Sequence, residues 1–137
     1  MSSENIKNYW LEYADNDLKV ARLLFAEGER RGFAYQAVVF HCHQAVEKML
    51  KAKLIDANTM PPRIHDLPAL AEKLLIEIPD QIAHEIEELN PHYLHPRYPD
   101  IKFLPSFHFS YNKKNVEHIL AITEHICHWL KAQFKKQ

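Results

Sequence analysis

The stretch from Phe33 to Ile55 constrains the fold most, because it reads as a long helix that is apolar around most of its circumference. At about 100° per residue, one broad side of this helix collects apolar side chains. They are Ala52, Ala45, Val38, Met49, Val46, Val39, Leu50, Leu54 and Phe40. The other side carries a polar strip, defined as His41, Gln44, Glu47, Lys48 and Lys51. We therefore predict a central helix that other elements cover, with polar groups along one side.

Length and composition favour a helical protein of one domain. A chain of 137 residues is of ordinary single-domain size, so we predict one helical domain over residues 1–137. Two glycines in the whole chain argue against a turn-rich β fold. The net charge of -1 offers no basic excess for nonspecific nucleic-acid binding, so any RNA contact is expected to be local. No secretory or membrane-spanning segment is evident, and we expect a cytoplasmic protein without membrane contact.

Four further helices are predicted around the central one. The first begins at Ser2 or Ser3 and ends in the turn bracketed by Gly28 and Gly32. Its predicted buried stripe is Ile6, Trp10, Tyr13, Asp17, Val20 and Leu24. The last helix is predicted from Asn115 to Phe134. Its predicted buried face is Val116, Ile119, Leu120, Thr123, Ile126, Cys127, Leu130 and Phe134.

Two shorter helices lie between the central helix and the last one. Asp66 is the predicted cap of the third helix, with Leu67, Leu70, Ala71, Leu74 and Leu75 as its buried face. The fourth helix is predicted to bury Ile82, Ile86 and Leu89 and to expose Glu85, Glu87 and Glu88. This set of helices predicts an all-α, antiparallel up-and-down four-helix bundle with an additional short helix.

Asp17 is the one carboxylate in the predicted stripe of the first helix. It either lies at the edge of the stripe and reaches water, or it is enclosed. An enclosed carboxylate needs a partner, and Lys48 or Lys51 of the central helix is the predicted one. Asp17 therefore tests whether the polar strip is enclosed.

Histidine and cysteine patterns do not predict a metal site or a cofactor. His41 and His43 point about 200° apart on a helix and cannot share an ion. His118, His125 and His128 have a spacing that could hold a metal, but a solvent-exposed histidine face is the preferred interpretation. Cys42 and Cys127 lie in apolar helical patterns, so we expect buried reduced thiols.

The segment from Asn90 to Asn112 lacks a clear helical pattern and contains Arg97, Tyr98, Pro99 and Asp100 in succession. Together with the polar strip and Asp17, an arginine and stacking aromatics suit a phosphate-bearing ligand or an unpaired RNA strand. The alternative is a structural ion-pair network of Asp17, Glu47, Lys48 and Arg97 that fixes the register of the bundle. The residues alone leave both interpretations open.

Four short motifs in order resemble those of HEPN domains. The first helix resembles theirs at Trp10, Ala14, Asp17, Leu18 and Ala21. The second does so at Ala37, Phe40, His43, Gln44, Ala45, Glu47, Lys48, Leu50, Lys51 and Ala52. The other two motifs are His65-Asp66-Leu67 and Arg97-Tyr98-Pro99-Asp100. The match covers about three quarters of the chain.

The resemblance implies an antiparallel helical bundle, a homodimer, and a two-gene toxin–antitoxin-type cassette with a minimal nucleotidyltransferase partner. Our first hypothesis is accordingly a binding module for nucleotide, RNA or that partner, without a cofactor. Its ligand-binding residues are predicted to be Asp17, Lys48, Lys51, Arg97 and Tyr98. The predicted motif residues with a structural role are Gln44, Glu47, His65, Asp66 and Asp100.

Many HEPN proteins are RNases with an R-x(4–6)-H motif, and this chain departs from that motif. Arg97 is followed by Lys102, Phe103 and Leu104 at the required distances. The second hypothesis is a metal-independent endoribonuclease in which Arg97 steadies phosphate charge and His95 or His108 transfers the proton. The third is a purely structural assembly partner.

Overall fold

A computed structural model describes residues 2–93 and 110–134. The five α-helices are α1 (Ser3–Arg31), α2 (Tyr35–Asp56), α3 (Leu67–Glu72), α4 (Asp80–Leu89) and α5 (Lys113–Ala132), and a 3₁₀ turn spans Asn90–Tyr93. The described residues contain no strand. The predicted all-α antiparallel bundle is confirmed. No helix in the described ranges is long and apolar enough to cross a membrane.

The helix α2 is the centre of the bundle, as its apolar periodicity predicts. It packs against α1, α3, α5 and the 3₁₀ turn. Its apolar side is closed to solvent at Val38, Val39, Cys42, Ala45, Val46, Met49, Leu50, Ala52 and Leu54. Most of the surface of α2 is therefore used for packing, and its polar strip has to be accommodated between neighbouring elements.

Short polar side chains cap the N-termini of three helices. Ser2 Oγ accepts a hydrogen bond from the backbone of Asn5, and Asp66 Oδ1 accepts one from Ala69, as the sequence predicts for both caps. Asn112 and Asn115 form a reciprocal capping box, so α5 begins two residues earlier than predicted. Helix α1 ends at Gly32, which has a φ of 73° and whose N–H donates to the carbonyl of Gly28.

The buried face of α1 differs from the predicted stripe. Ile6 is 37% exposed and Tyr13 is 57% exposed. Asp17 of the predicted stripe is buried, and the face toward the bundle otherwise carries Lys7, Ala14, Leu18, Ala21 and Gly28. Ala14, Ala21 and Gly28 are spaced by seven residues, and small side chains on one face let the backbones of α1 and α2 come close. The prediction was wrong because it followed the large apolar residues, whereas the small ones set the contact.

Gly28 is also placed differently from the prediction, because it lies inside α1 and not in the closing turn. A Cβ atom at this position would lie 2.8 Å from the carbonyl oxygen of Phe33 and 2.9 Å from Cε1 of Tyr35. The chain therefore folds back onto the helix at a point where only glycine leaves enough room. Gly32 alone forms the predicted left-handed end.

The exposure or burial of four residues after α2 also differs from the prediction. Leu75 is 94% exposed and has a φ of 56°, because α3 ends at Glu72 before reaching it. Glu85 is 4% exposed and is held by His125 of α5 at 2.5 Å. Leu120 and Phe134 are only partly buried, and Ile122 takes a core position that the sequence analysis did not assign. Glu87 and Glu88 are exposed as predicted.

Five predicted site residues, His95, Arg97, Tyr98, Asp100 and His108, lie outside the described residues. Among residues 2–93 and 110–134, no group of three or more His, Cys, Asp and Glu side chains could hold a metal ion. His118, His125 and His128 of α5 are exposed, and His118 pairs with Glu88 at 2.8 Å. Cys42 and Cys127 are both buried free thiols, as predicted.

Candidate functional site

The first half of the candidate site is an ion-pair cluster around Asp17. Lys48 Nζ lies 2.5 Å from Asp17 Oδ2, and His41 Nδ1 lies 2.8 Å from Oδ1. Asp17 is only 8% exposed, so both oxygens of an enclosed carboxylate are bound by groups of α2. Asp17 is therefore enclosed and paired with Lys48, one of the two partners that the sequence predicts.

The second half is a cluster around Glu47, which directly precedes Lys48 on α2. Its oxygen Oε2 accepts a hydrogen bond from Lys51 Nζ at 3.1 Å, and Oε1 lies 2.9 Å from His65 Nδ1. Gln44 Nε2 reaches the same Oε1 at 3.5 Å. The side chains of Glu47 and Lys51 are both less than a tenth exposed, whereas that of His65 is half exposed. The segment between α2 and α3 is thus held on α2 through a buried carboxylate.

Aromatic rings flank both clusters. Lys48 Nζ lies 5.9 Å from the centroid of the Tyr13 ring, and Lys51 Nζ lies 5.7 Å from that of Trp10. His65 stacks on Tyr93 with a centroid distance of 4.2 Å and an interplanar angle of 14°. Tyr13, Trp10 and Tyr93 therefore lie beside the polar strip or its partner His65. None of these three side chains was predicted from the sequence to belong to the site.

The exposed aromatic side chains of α1 extend this surface. Ile6, Tyr9, Trp10 and Tyr13 line one open groove, and Tyr9 is half exposed. Ile6, Trp10 and Tyr13 were assigned from their spacing to a buried stripe, and Tyr9 was not assigned. Because Trp10 and Tyr13 also contact the two lysines, the apolar groove and the polar strip form one continuous surface.

His43 differs from the other histidines of the site because it is fully buried. Neither ring nitrogen makes a hydrogen bond of ordinary geometry with a residue that the structure describes. Burial, together with the nearby imidazoles of His65 and His92, lowers the pKa of His43 from 6.5 to about 3, against weak opposition from Asn90 and the backbone of His65. His43 is therefore a neutral core residue at physiological pH.

The charges of the site balance each other within the described residues. Two carboxylates, Asp17 and Glu47, form the inner layer and pair with the two ammonium groups of Lys48 and Lys51. Lys51 is nearly closed to solvent, so the groups that a ligand can reach are His41, Lys48, His65 and the flanking rings. A surface of this kind binds through stacking and directed hydrogen bonds more than through a strong positive field.

Of the other predicted residues, Asp66 is used locally. It follows His65 and accepts the capping hydrogen bond of α3. The structure brings together Asp17, Gln44, Glu47, Lys48, Lys51 and His65 along α2. The predicted ion-pair network is present in its Asp17, Glu47 and Lys48 members, while its Arg97 member lies outside the described part of the chain.

The bundle, the enclosed strip of α2 and the histidine beside the α3 cap together define a HEPN domain, and the model of the HEPN domain family matches residues 8–133. The chain belongs to this family. It is 28% identical, over 99% of its own length and 94% of the relative's, to the Methanocaldococcus jannaschii protein named "Putative toxin MJ1304".

Two solved structures have the same fold. One is an archaeal HEPN homologue, ST0689, with a TM-score of 0.71 and 25% identity over 94% of this chain and 98% of that one. The other is TT1696 from Thermus thermophilus, with a TM-score of 0.76 and 20% identity over 92% of this chain and 96% of that one. The similarity to TT1696 shows the fold alone.

Proposed function

We propose that this chain is a toxin–antitoxin-type HEPN protein that acts as a binding module. The α1–α2 surface around Lys48 and His65 binds a phosphate-bearing ligand, either a nucleotide or an unpaired RNA strand. Membership of the HEPN family and the similarity to a protein named as a toxin support the biological context. The geometry of the strip supports the binding role.

One observation carries the proposal: the exposed polar groups of the strip are held in place by buried carboxylates. Lys48 keeps a quarter of its side chain exposed while Asp17 fixes its ammonium group. His65 keeps half of its side chain exposed while Glu47 fixes its Nδ1. Preorganised groups lose little conformational entropy on binding, so a small exposed area can still contribute to affinity.

The internal pairing of the lysines favours a single-stranded ligand over a duplex. A protein binds a nucleic-acid duplex largely through unpaired lysine and arginine side chains, which neutralise the phosphates and release their counterions. Asp17 and Glu47 already neutralise Lys48 and Lys51, and the chain carries a net charge of -1. Stacking on exposed rings needs accessible bases, which a single strand provides.

Fluorescence anisotropy of a labelled single-stranded RNA, titrated with purified protein at two salt concentrations, tests the proposal. Lys48→Gln is expected to weaken binding, because the ammonium group is lost from the exposed edge of the strip. Lys19→Gln is the matched control, because Lys19 is an exposed lysine on the cleft between α1 and α5. Equal binding by both variants, or no binding of RNA or nucleotide by the wild type, contradicts the proposed role.

We extend the proposal to the partners that the family implies, a second copy of the chain and a minimal nucleotidyltransferase. Light scattering of the purified protein tests the homodimer, and a mass of one chain contradicts it. Co-expression with a nucleotidyltransferase encoded beside this gene tests the second partner. Failure of the two proteins to associate at micromolar concentration contradicts that part of the proposal alone.

Ribonuclease activity is a separate proposal with its own test. Its predicted residues, His95, Arg97 and His108, lie outside the described ranges, so no contact of theirs supports it. Incubation of purified protein with RNA in the presence of a chelator measures the activity. Cleavage that persists in Arg97→Ala contradicts the assignment of Arg97.

A further inference from the structure

We infer that the exposed ring face of His65 is a stacking position for one unpaired nucleobase. This inference rests on the proposed binding function and names the contact that a single strand would make. His65 comes from the segment between α2 and α3, whereas Lys48 belongs to α2, so the two residues can be tested separately.

The stack on Tyr93 covers one face of the His65 imidazole, and we infer that the exposed part of the side chain includes the opposite face. The two rings are nearly parallel, 14° apart, with centroids separated by 4.2 Å. Half of the His65 side chain is nevertheless exposed. A base placed on the open face would continue the stack, and base stacking on histidine and tyrosine is a common form of single-strand recognition.

A hydrogen bond to Glu47 also fixes the orientation of the His65 ring. His65 Nδ1 lies 2.9 Å from Oε1 of Glu47, a carboxylate that is 5% exposed and also binds Lys51. The hydrogen bond and the stack together restrict rotation about both side-chain torsions of His65. The open face is therefore presented in one orientation before any ligand arrives, which is the property that a stacking platform requires.

Arg63, an exposed residue two positions before His65, is the cation that we assign to the phosphate of the same nucleotide. It forms no ion pair with the described residues. Two residues of chain span at most about 7 Å, and an arginine side chain extends further from the backbone. A guanidinium beside an exposed ring suits one nucleotide of an unpaired strand.

The test uses two substitutions that separate stacking from the hydrogen bond to Glu47. His65→Gln retains a donor for Glu47 but removes the ring, and His65→Phe retains a ring but removes the donor. The probe is a single-stranded RNA of about six nucleotides that contains one 2-aminopurine, whose fluorescence falls when it stacks. His84→Gln, at an exposed position of α4, is the control.

Stacking predicts that His65→Gln weakens binding about tenfold and loses the fluorescence quenching, while His84→Gln keeps both. His65→Phe, whose ring Tyr93 can still orient by stacking, keeps the quenching and binds more tightly than His65→Gln. The opposite order, with His65→Gln active and His65→Phe inactive, shows that only the hydrogen bond matters and overturns the inference. If Lys48→Gln weakens binding but neither His65 variant does, the inference fails and the proposed function stands. If the wild type binds no RNA, the inference fails together with the RNA form of the proposed function.

Discussion

His65 Nδ1 lies 2.9 Å from Oε1 of Glu47, so a half-exposed imidazole is held by a carboxylate that is almost completely buried. The pair Lys48 and Asp17 repeats this relationship at the next residue of α2. In both pairs the acidic partner faces inward and the partner that can carry positive charge faces solvent. The carboxylates therefore serve the fold and the site at the same time, and their removal should affect stability as well as binding.

Asp17→Ala is expected to lower the free energy of unfolding by about 3 kcal/mol. The substitution leaves Lys48 without its partner, and the cost is at the low end of the range for buried pairs because Lys48 is a quarter exposed. Asp17→Asn should cost less, since the amide oxygen still accepts a hydrogen bond. Urea denaturation measures both. A loss of less than about 0.5 kcal/mol in Asp17→Ala would show that Asp17 behaves as an ordinary surface residue.

Glu47→Ala is expected to cost about 3–5 kcal/mol, more than Asp17→Ala. Lys51 is 8% exposed at its side chain and would be left as a buried ammonium group without a carboxylate. Glu87→Ala on the exposed face of α4 is the matched control and should change stability by less than about 0.5 kcal/mol. The same denaturation experiment compares them. Equal effects of the two substitutions would refute the enclosed pair.

His43 should make the wild type lose stability on acidification. Its pKa is about 3 in the folded chain and 6.5 as the reference value, so the unfolded state binds one more proton between these two pH values. Stability then falls as the pH drops from about 6.5 toward 3, by up to about 1.4 kcal/mol per pH unit. His43→Leu should remove this contribution, because leucine does not titrate.

The measurement is the free energy of unfolding of wild type and His43→Leu at a series of pH values. Their difference should change with pH only between about 3 and 6.5, with the variant less sensitive to acid. His84→Leu, at an exposed position of α4, controls for the loss of one histidine. Parallel pH profiles of wild type and His43→Leu would contradict the buried neutral imidazole.

The two glycines should respond differently to alanine. Gly28→Ala is expected to destabilise by about 1–3 kcal/mol, because its Cβ would meet the Phe33 carbonyl oxygen at 2.8 Å. Gly32→Ala has free space but a φ of 73°, so its cost of about 1–2 kcal/mol comes from the backbone alone. Gly32→Asn should recover part of that cost, whereas Gly28→Asn should not. Thermal unfolding distinguishes them, and a more stable Gly28→Ala would contradict the close contact.

The sequence predicts the centre of the bundle well because α2 is apolar on nearly all sides, and periodicity reports such burial directly. For Asp17 the sequence leaves two possibilities open, an exposed edge position or enclosure, and it names Lys48 or Lys51 as the partner in the enclosed case that the structure shows. The contact face of α1 could not be predicted in the same way. Large residues such as Tyr13 dominate a hydrophobic pattern, whereas Ala14, Ala21 and Gly28 determine how closely two helices approach.

The α2 part of the site and the candidate pair of Asp17 with Lys48 follow from the sequence, whereas the contacts of Glu47 and Glu85 with other elements do not. The polar strip follows from helical geometry, which fixes the positions of Glu47 and Lys51 relative to each other. The pairing of Glu47 with His65 depends on how the segment after α2 folds back, and the burial of Glu85 depends on His125 of α5. Neither contact has a local sequence signal, because each joins residues of separate elements.

Nuclear magnetic resonance of the histidine imidazoles during titration with single-stranded RNA tests most directly whether the polar strip is the binding surface. His41 lies on the strip and His65 is bound to Glu47 of the strip, whereas His128 lines the cleft between α1 and α5 and His84 lies exposed on α4. We expect the resonances of His41 and His65 to shift and those of His84 and His128 to stay in place. Shifts confined to His84 or His128, or no shifts at saturating RNA, would contradict the account.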